Sequence, residues 1–544
     1  MNHPSVTLST SWFPADERSS LIETTAHHLL ARRADEAPEV TALTAVDQHG
    51  EWVRLTYGEL FEEAQRVATA LRTLVPDGSH VALWAPNVAE WPVIQYGTTL
   101  AGMTLVCLNP LLREDELEYA LRLSEATVLI HARSSRDIDL AQIAARVTER
   151  IPGLVRISLE DTASWRASAI DPSVTAASPD DPDRIAMMQF TSGTTGRPKA
   201  ALLRHRSVVN VARFTMERVA IERGGVLVNP LPLFHSGSCV SGTLGALWLG
   251  GTHLVINRFD ASEVLDIMIR ERATAFIYVP TMLAALVDEQ RRRGGTPPPL
   301  HRILGGAANV PASLIAQAEE IFHAGVFNVY GQTELAPVLA ATSRGDGRED
   351  LLGTVGRPLP QVEVRVVDTR SGEVVPLGQP GEICARGYQQ TVGYYRDPEL
   401  TAETIDSDGF VHTGDIGVMD ERGYLKITGR LKELIIRGGE NIAPAEIETC
   451  LTAHEGVAQI SVVGLPDDRY GEIVAAFVIP HRDAPGDLIG RLRAFARERL
   501  TPYKVPTRWF VVESLPMTAS GKVKKFEVVS QVKNGTLAGQ ESHG

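Results

Sequence analysis

With 544 residues, 44% of them hydrophobic and 22% charged, the chain exceeds one compact domain and has ordinary globular composition. A net charge of −14 argues against a generic nucleic-acid binder and leaves no polybasic patch for an anionic membrane. Cys107, Cys239, Cys384 and Cys450 lack metal-ligand spacing and disulfide-scaffold density, no apolar run is long enough to span a membrane, and the N-terminus lacks a secretory pattern, so the expected compartment is the cytoplasm.

In chain order, apolar periodicity predicts a helix from about residue 22 to 32, then a strand over 52–55. Thr56 is placed to open a helix with Leu60, Ala64, Val67 and Leu71 on one face. Short apolar strands over 81–85, 104–108 and 128–131 alternate with helices over 90–100 and 114–123. This β/α alternation predicts a doubly wound parallel sheet. Residues 161–183, rich in Ser, Pro and Asp, read as a loop leading to a buried strand over 184–190.

That strand feeds the run Thr191-Ser192-Gly193-Thr194-Thr195-Gly196-Arg197-Pro198-Lys199. Glycines let the backbone approach a ligand closely, and hydroxyls, amide N–H groups and the Lys199 charge suit phosphate. Arg197 and Pro198 separate Gly196 from Lys199, which disfavours an ordinary P-loop NTPase. Downstream, Val208, Val211, Ala212, Met216 and Val219 recur at helical spacing, with Ser207 expected as the cap of a helix towards which the loop opens.

The alternation then resumes with strands at 226–228, 252–255, 276–279, 303–306 and 326–330, and a helix over 262–270. Strand ends bearing glycine, polar and acidic residues are where ligands sit in open α/β sheets. From about residue 353 short strands and turn signals suggest a β-rich subdomain. A last unit begins near 429–432, with strands over 459–463 and 473–479 and a helix capped by Asp487 that turns Leu488, Leu492, Phe495 and Ala496 inward. The polar tail after Val532 is expected to be disordered.

Five motifs in order resemble the adenylate-forming superfamily, on its acyl-CoA synthetase (fatty or aryl acid–CoA ligase) branch. They are the 191–199 loop, Asn328-Val329-Tyr330-Gly331-Gln332-Thr333-Glu334, His412-Thr413-Gly414-Asp415, Thr428-Gly429-Arg430, and Pro516 to Lys522. The resemblance implies an N-terminal adenylation domain over 1–429 and a small mobile α+β domain over 430–544, hinged near Lys432. It implies ATP, Mg2+ and CoA as partners of a small-molecule acid.

By the same resemblance Thr191, Ser192, Gly193, Thr194, Thr195, Gly196 and Lys199 hold phosphate, while Gly306, Ala307, Asn328, Tyr330 and Gly331 form the adenine pocket. Asp415 and Arg430 suit the ribose, Thr333 the α-phosphate, and Glu334 offers magnesium the hard carboxylate oxygen it prefers. Lys522 stabilises charge as carboxylate attacks the α-phosphate, His235 gates the substrate carboxylate, and Gly438 and Gly439 line the thiol tunnel. Read alone, Lys522 would be solvated charge like Lys524 and Lys525; the motif reverses that.

No acidic residue lies between Glu222 and Asp260, so α-amino acids are disfavoured as substrates. Ala200 and Ala308 depart from the family's usual Gly and Pro, leaving substrate and acceptor open. The alternative keeps adenylation but passes the adenylate to a carrier protein or an amine, including nitrite activation by a diazo-forming ligase. A silent nucleotide-binding paralogue is disfavoured by Lys199, Thr333, Glu334, Asp415, Arg430 and Lys522 together. A homodimer is left open.

Overall fold

In a computed structural model, the short apolar runs become a six-stranded sheet. Its order is Lys199–Arg204, Ile185–Thr191, Thr104–Leu108, His80–Trp84, Val128–His131 and Val155–Ser158. All pairings are parallel except the first, and such continuously apolar strands suit a sheet covered on both faces. The structure describes residues 7–161, 169–177, 180–191, 198–308, 310–437, 440–467, 469–481, 484, 486–517, 523–536 and 539–541. Ser192, Gly193, Thr194, Thr195, Gly196, Gly438, Gly439 and Lys522 lie outside the described residues.

The helix Tyr57–Leu74 starts as its sequence predicts. Thr56 Oγ1 accepts the Glu59 N–H, and the Glu59 carboxylate accepts the Thr56 N–H in return. Its buried face, Leu60, Ala64, Val67 and Leu71, meets the helix Glu90–Leu100 at Gly97, where a Cβ would come within 2.5 Å of Val67 Cγ1.

A second sheet has nine strands. Its parallel centre carries Gly325–Tyr330, Arg302–Gly306, Ala275–Tyr278, Val226–Asn229, Thr252–Val255 and Thr41–Val46. A five-stranded antiparallel sheet follows, with Val362–Val367, Gly381–Gly387, Val411–Met419 and Leu425–Arg430 as its longer strands. This is the β-rich subdomain expected from the turn signals.

The small C-terminal domain is built around the strand Gly471–Pro480, paired with Val457–Asp467 and Arg508–Val512. One face of that sheet packs Ile447, Leu451, Leu492, Ala496 and Trp509, and the other packs Phe477, Phe510 and Val528. Among the described residues neither cluster draws on anything before Ile435. Asp487 caps the helix Leu488–Arg499 through the Gly490 N–H, with Leu488, Leu492 and Ala496 buried and Phe495 partly so.

Four expectations are corrected. The 191–199 run does not open onto a helix: Lys199–Arg204 is an antiparallel strand that pairs Lys199 with Thr191, and the helix His205–Val219 begins only after it. Ser207 is not its cap, since Arg204 holds that position and the Ser207 hydroxyl donates to Tyr388 O. The 161–183 segment includes a short helix, Pro172–Ala177. In the tail, residues 539–541 pair with Arg508–Val512, and Glu541 forms an ion pair with Arg508. No helix among the described residues is long and apolar enough to cross a membrane.

Candidate active site

Three sheets contribute side chains to one cluster. Ile185–Thr191 ends at Thr191, whose hydroxyl lies 3.4 Å from Glu334 Oε1. Glu334 follows the strand Gly325–Tyr330 in a one-turn 3-10 helix, Thr333–Leu335. Beside it, the hydroxyls of Thr333 and Ser236 are 3.5 Å apart. The third sheet supplies Asp415 and Arg430, and Tyr330 from the second sheet donates its hydroxyl to Asp415 Oδ2 at 2.9 Å.

Asp415 is 3% exposed and ion-paired to Arg430, with Nε 2.7 Å from Oδ1. Burial, and then the charge of Asp415, push the Tyr330 phenol well above its usual range, so it stays a donor. Behind Asp415 the turn is braced. The Gly414 N–H donates to Glu382 Oε1 at 2.9 Å, and His412 Nδ1 lies 2.8 Å from Glu382 Oε2 and 3.4 Å from Cys384 Sγ. His412 Nε2 faces Asp406 at 3.3 Å. Hydrogen bonds to Cys384 and Glu382 raise the imidazole to about 10. The Glu382–Cys384–His412 group offers mixed metal-ligand types, but hydrogen bonds to His412 already account for its geometry.

Glu334 is 9% exposed. Its Oε1 accepts two hydroxyls, Tyr394 at 2.7 Å and Thr191 at 3.4 Å, while Oε2 accepts no hydrogen bond among the described residues. A mostly buried carboxylate with one oxygen spare, ringed by hydroxyls, fits a hard cation such as magnesium. The Lys199 ammonium lies 5.3 Å from the centre of the Tyr394 ring.

The side chain of Asn328 is turned into the fold. Its Oδ1 accepts the Tyr278 hydroxyl at 3.1 Å, and its Nδ2 donates to the carbonyls of Leu351 and Thr354 at 3.3 Å. Gly306 and Gly331 are required by close backbone approach, since a Cβ would come within 2.1 Å of Val329 O and 2.2 Å of Pro337 O respectively. Ala307 is exposed with φ of +66°, an unusual conformation for a residue with a side chain. His235 is half-buried with its ring tilted against Phe234. It precedes the short helix Ser236–Ser238 and a π-helical turn, Cys239–Leu244, a distortion that favours functional positions.

Sequence reasoning missed Tyr394 and the bracing role of Glu382. The tyrosine doublet Tyr394-Tyr395 stands among polar residues, but no spacing rule connects it to Glu334 sixty residues earlier.

Comparison with known proteins is consistent across the chain. Residues 30–395 match the family described as AMP-binding enzyme, and residues 446–522 match the AMP-binding enzyme C-terminal domain. The mitochondrial medium-chain acyl-CoA ligase ACSF2 of Macaca fascicularis is 32% identical, over 95% of this chain and 88% of that protein. A substituted indenylpropanoyl:CoA ligase of Rhodococcus jostii RHA1 is 35% identical, over 92% of this chain and 98% of that protein. The crystal structure of ATP-bound MatB from Rhodopseudomonas palustris superimposes with a TM-score of 0.82 at 29% identity, covering 94% of this chain and all of that one.

Proposed function

Because the chain belongs to the AMP-binding enzyme family, we propose that it activates a carboxylic acid with ATP and transfers the acyl group to CoA. The observation that carries this reading is the convergence of Thr191, Thr333 and Glu334 beside the Tyr330–Asp415–Arg430 group. Hydroxyls and a spare carboxylate oxygen on one side suit a metal-bound triphosphate; an aromatic ring and a fixed carboxylate on the other suit adenosine. The names of the two CoA ligases support CoA as acceptor.

In the first step a carboxylate oxygen of the acid attacks the α-phosphorus, and pyrophosphate leaves. The 191–199 run supplies amide and hydroxyl donors to the phosphates, and Lys199 adds charge. Glu334 would hold a magnesium ion, which would neutralise phosphate charge. Lys522 stabilises the negative charge that develops at the α-phosphate, without needing to transfer a proton. In the second step the CoA sulfur attacks the acyl carbon, AMP leaves, and the thiol proton passes to solvent.

The two steps are separated by rotation of the small domain about Lys432, which withdraws Lys522 and brings Gly438 and Gly439 to the thiol path. The domain boundary at 429/430 belongs to this proposal. The acid is fatty or aryl rather than an α-amino acid. No carboxylate lies over residues 223–259 to hold a substrate ammonium, and the two ligases above are named for medium-chain and bicyclic acyl groups.

The Lys522→Ala variant tests the assignment. It is expected to keep ATP binding and to lose acid-dependent pyrophosphate release by roughly 10²–10³-fold. Wild-type release from that variant would remove Lys522 from the mechanism.

A further inference from the structure

We infer that Tyr394 is a positioning residue for the nucleotide's metal ion, holding one oxygen of the Glu334 carboxylate so that the other is left to the cation, while its ring seats Lys199. This rests on the magnesium- and ATP-dependent reading above.

The backbone that carries Tyr394 is tied down on several sides. The Thr391 N–H donates to Glu334 O at 2.8 Å, the Val392 N–H to Leu202 O at 3.0 Å, and the Tyr395 N–H to Ala200 O at 2.8 Å. In return the Leu202 N–H donates to Gly393 O at 3.0 Å. The segment therefore lies along the strand Lys199–Arg204. The Tyr394 N–H donates to Thr401 Oγ1 at 2.9 Å, which anchors it to the helix Pro398–Thr404. Gly393 has φ of +139°, and a Cβ there would come within 2.6 Å of Thr401 Cγ2, so the approach demands glycine.

From this fixed base the phenol, 8% exposed, donates to Glu334 Oε1 at 2.7 Å. A hydrogen bond to a carboxylate is among the stronger kinds, and it is here partly desolvated. Terminal carboxylate torsions are broad, so the plane of an untethered Glu334 carboxylate would turn freely. With Oε1 taken by Tyr394 and Thr191, the carboxylate presents Oε2 instead. The same ring holds the Lys199 ammonium at cation–π distance, 5.3 Å from its centre. One side chain thus orients the carboxylate for the cation and the lysine for the phosphates.

The two roles separate by substitution. Tyr394→Phe removes the hydroxyl and keeps the ring; Tyr394→Leu removes both. Calorimetric titration of the whole 544-residue chain with ATP, in magnesium and in EDTA, reads them out without any acid substrate. Tyr394→Phe is expected to weaken ATP binding about tenfold in magnesium and by less than about twofold in EDTA. Tyr394→Leu is expected to weaken both, because Lys199 loses its seat. In a Glu334→Gln background, Tyr394→Phe should add nothing further, since the carboxylate it orients is gone.

Wild-type affinity of Tyr394→Phe in magnesium would overturn the inference. So would equal losses with and without metal, which would mark Tyr394 as a packing residue. A wild-type protein that binds no ATP, or binds it indifferently to magnesium, would overturn the underlying reading and this one with it.

Discussion

Arg430 stands directly opposite Asp415 across two antiparallel strands, with its Nε 2.7 Å from Asp415 Oδ1. The second carboxylate oxygen takes the Tyr330 hydroxyl, so the ribose-binding candidate is oriented from both sides before a ligand arrives. Such preorganisation lowers the ordering cost of binding. Asp415→Asn keeps the size, removes the charge and turns one oxygen into a donor facing Arg430 or Tyr330. ATP affinity is expected to fall by roughly 10- to 100-fold in calorimetric titration. An unchanged affinity would detach this pair from nucleotide binding.

Arg218 holds the edge of the nine-stranded sheet to the helix His205–Val219. Its guanidinium, 8% exposed, donates to the carbonyls of Ala341 at 3.4 Å, Arg357 at 3.2 Å and Pro358 at 2.9 Å. Burial lowers its pKa to about 10, which still leaves it charged at neutral pH. Arg218→Met fills similar space but strands those carbonyls. We expect a loss of about 2–4 kcal/mol, read as a lower denaturant midpoint for the large domain. An unchanged midpoint would show that the carbonyls find other donors.

Acid should destabilise the fold through buried neutral histidines. Burial lowers His205 and His253 to about 3, against about 6.5 in an unfolded chain. Between those values the unfolded chain binds protons that the folded one refuses, so stability falls as pH drops from about 6.5 towards about 3. His205 Nδ1 accepts the Ala26 N–H at 3.2 Å, and an Asn carbonyl is a suitable replacement acceptor. His205→Asn should therefore lose less stability than wild type between about pH 7 and about pH 5. Equal losses would remove His205 from the acid response.

The parts of the fold legible in sequence are those set by local pattern. The strands at 81–85, 104–108 and 128–131 are short apolar runs bounded by turns, and Thr56 opens the helix it is placed to open. Apart from the short helix Pro172–Ala177, the misreadings are matters of long-range contact. Lys199–Arg204 pairs back on the strand before the loop, a hairpin that glycine and hydroxyl content does not distinguish from a loop opening a helix. Ser207 has the residue type of a cap, but its hydroxyl is taken by Tyr388 O, far along the chain. In the site, Thr191 and Glu334 meet, and Tyr330, Asp415 and Arg430 meet, as residues of motifs far apart in sequence. That Asn328 is turned inward onto Tyr278, and that Tyr394 reaches Glu334, depends on how separate sheets meet.

The most direct measurement is pyrophosphate release by the purified protein with ATP and magnesium. The panel contains fatty acids, aryl acids and nitrite, each with and without CoA, and nitrite also with an aryl amine. We expect release that depends on a fatty or aryl acid, with the CoA thioester of that acid as product. Release that ignores CoA and follows the amine, or no acid-dependent release from protein that binds ATP, would contradict the acid–CoA ligase assignment.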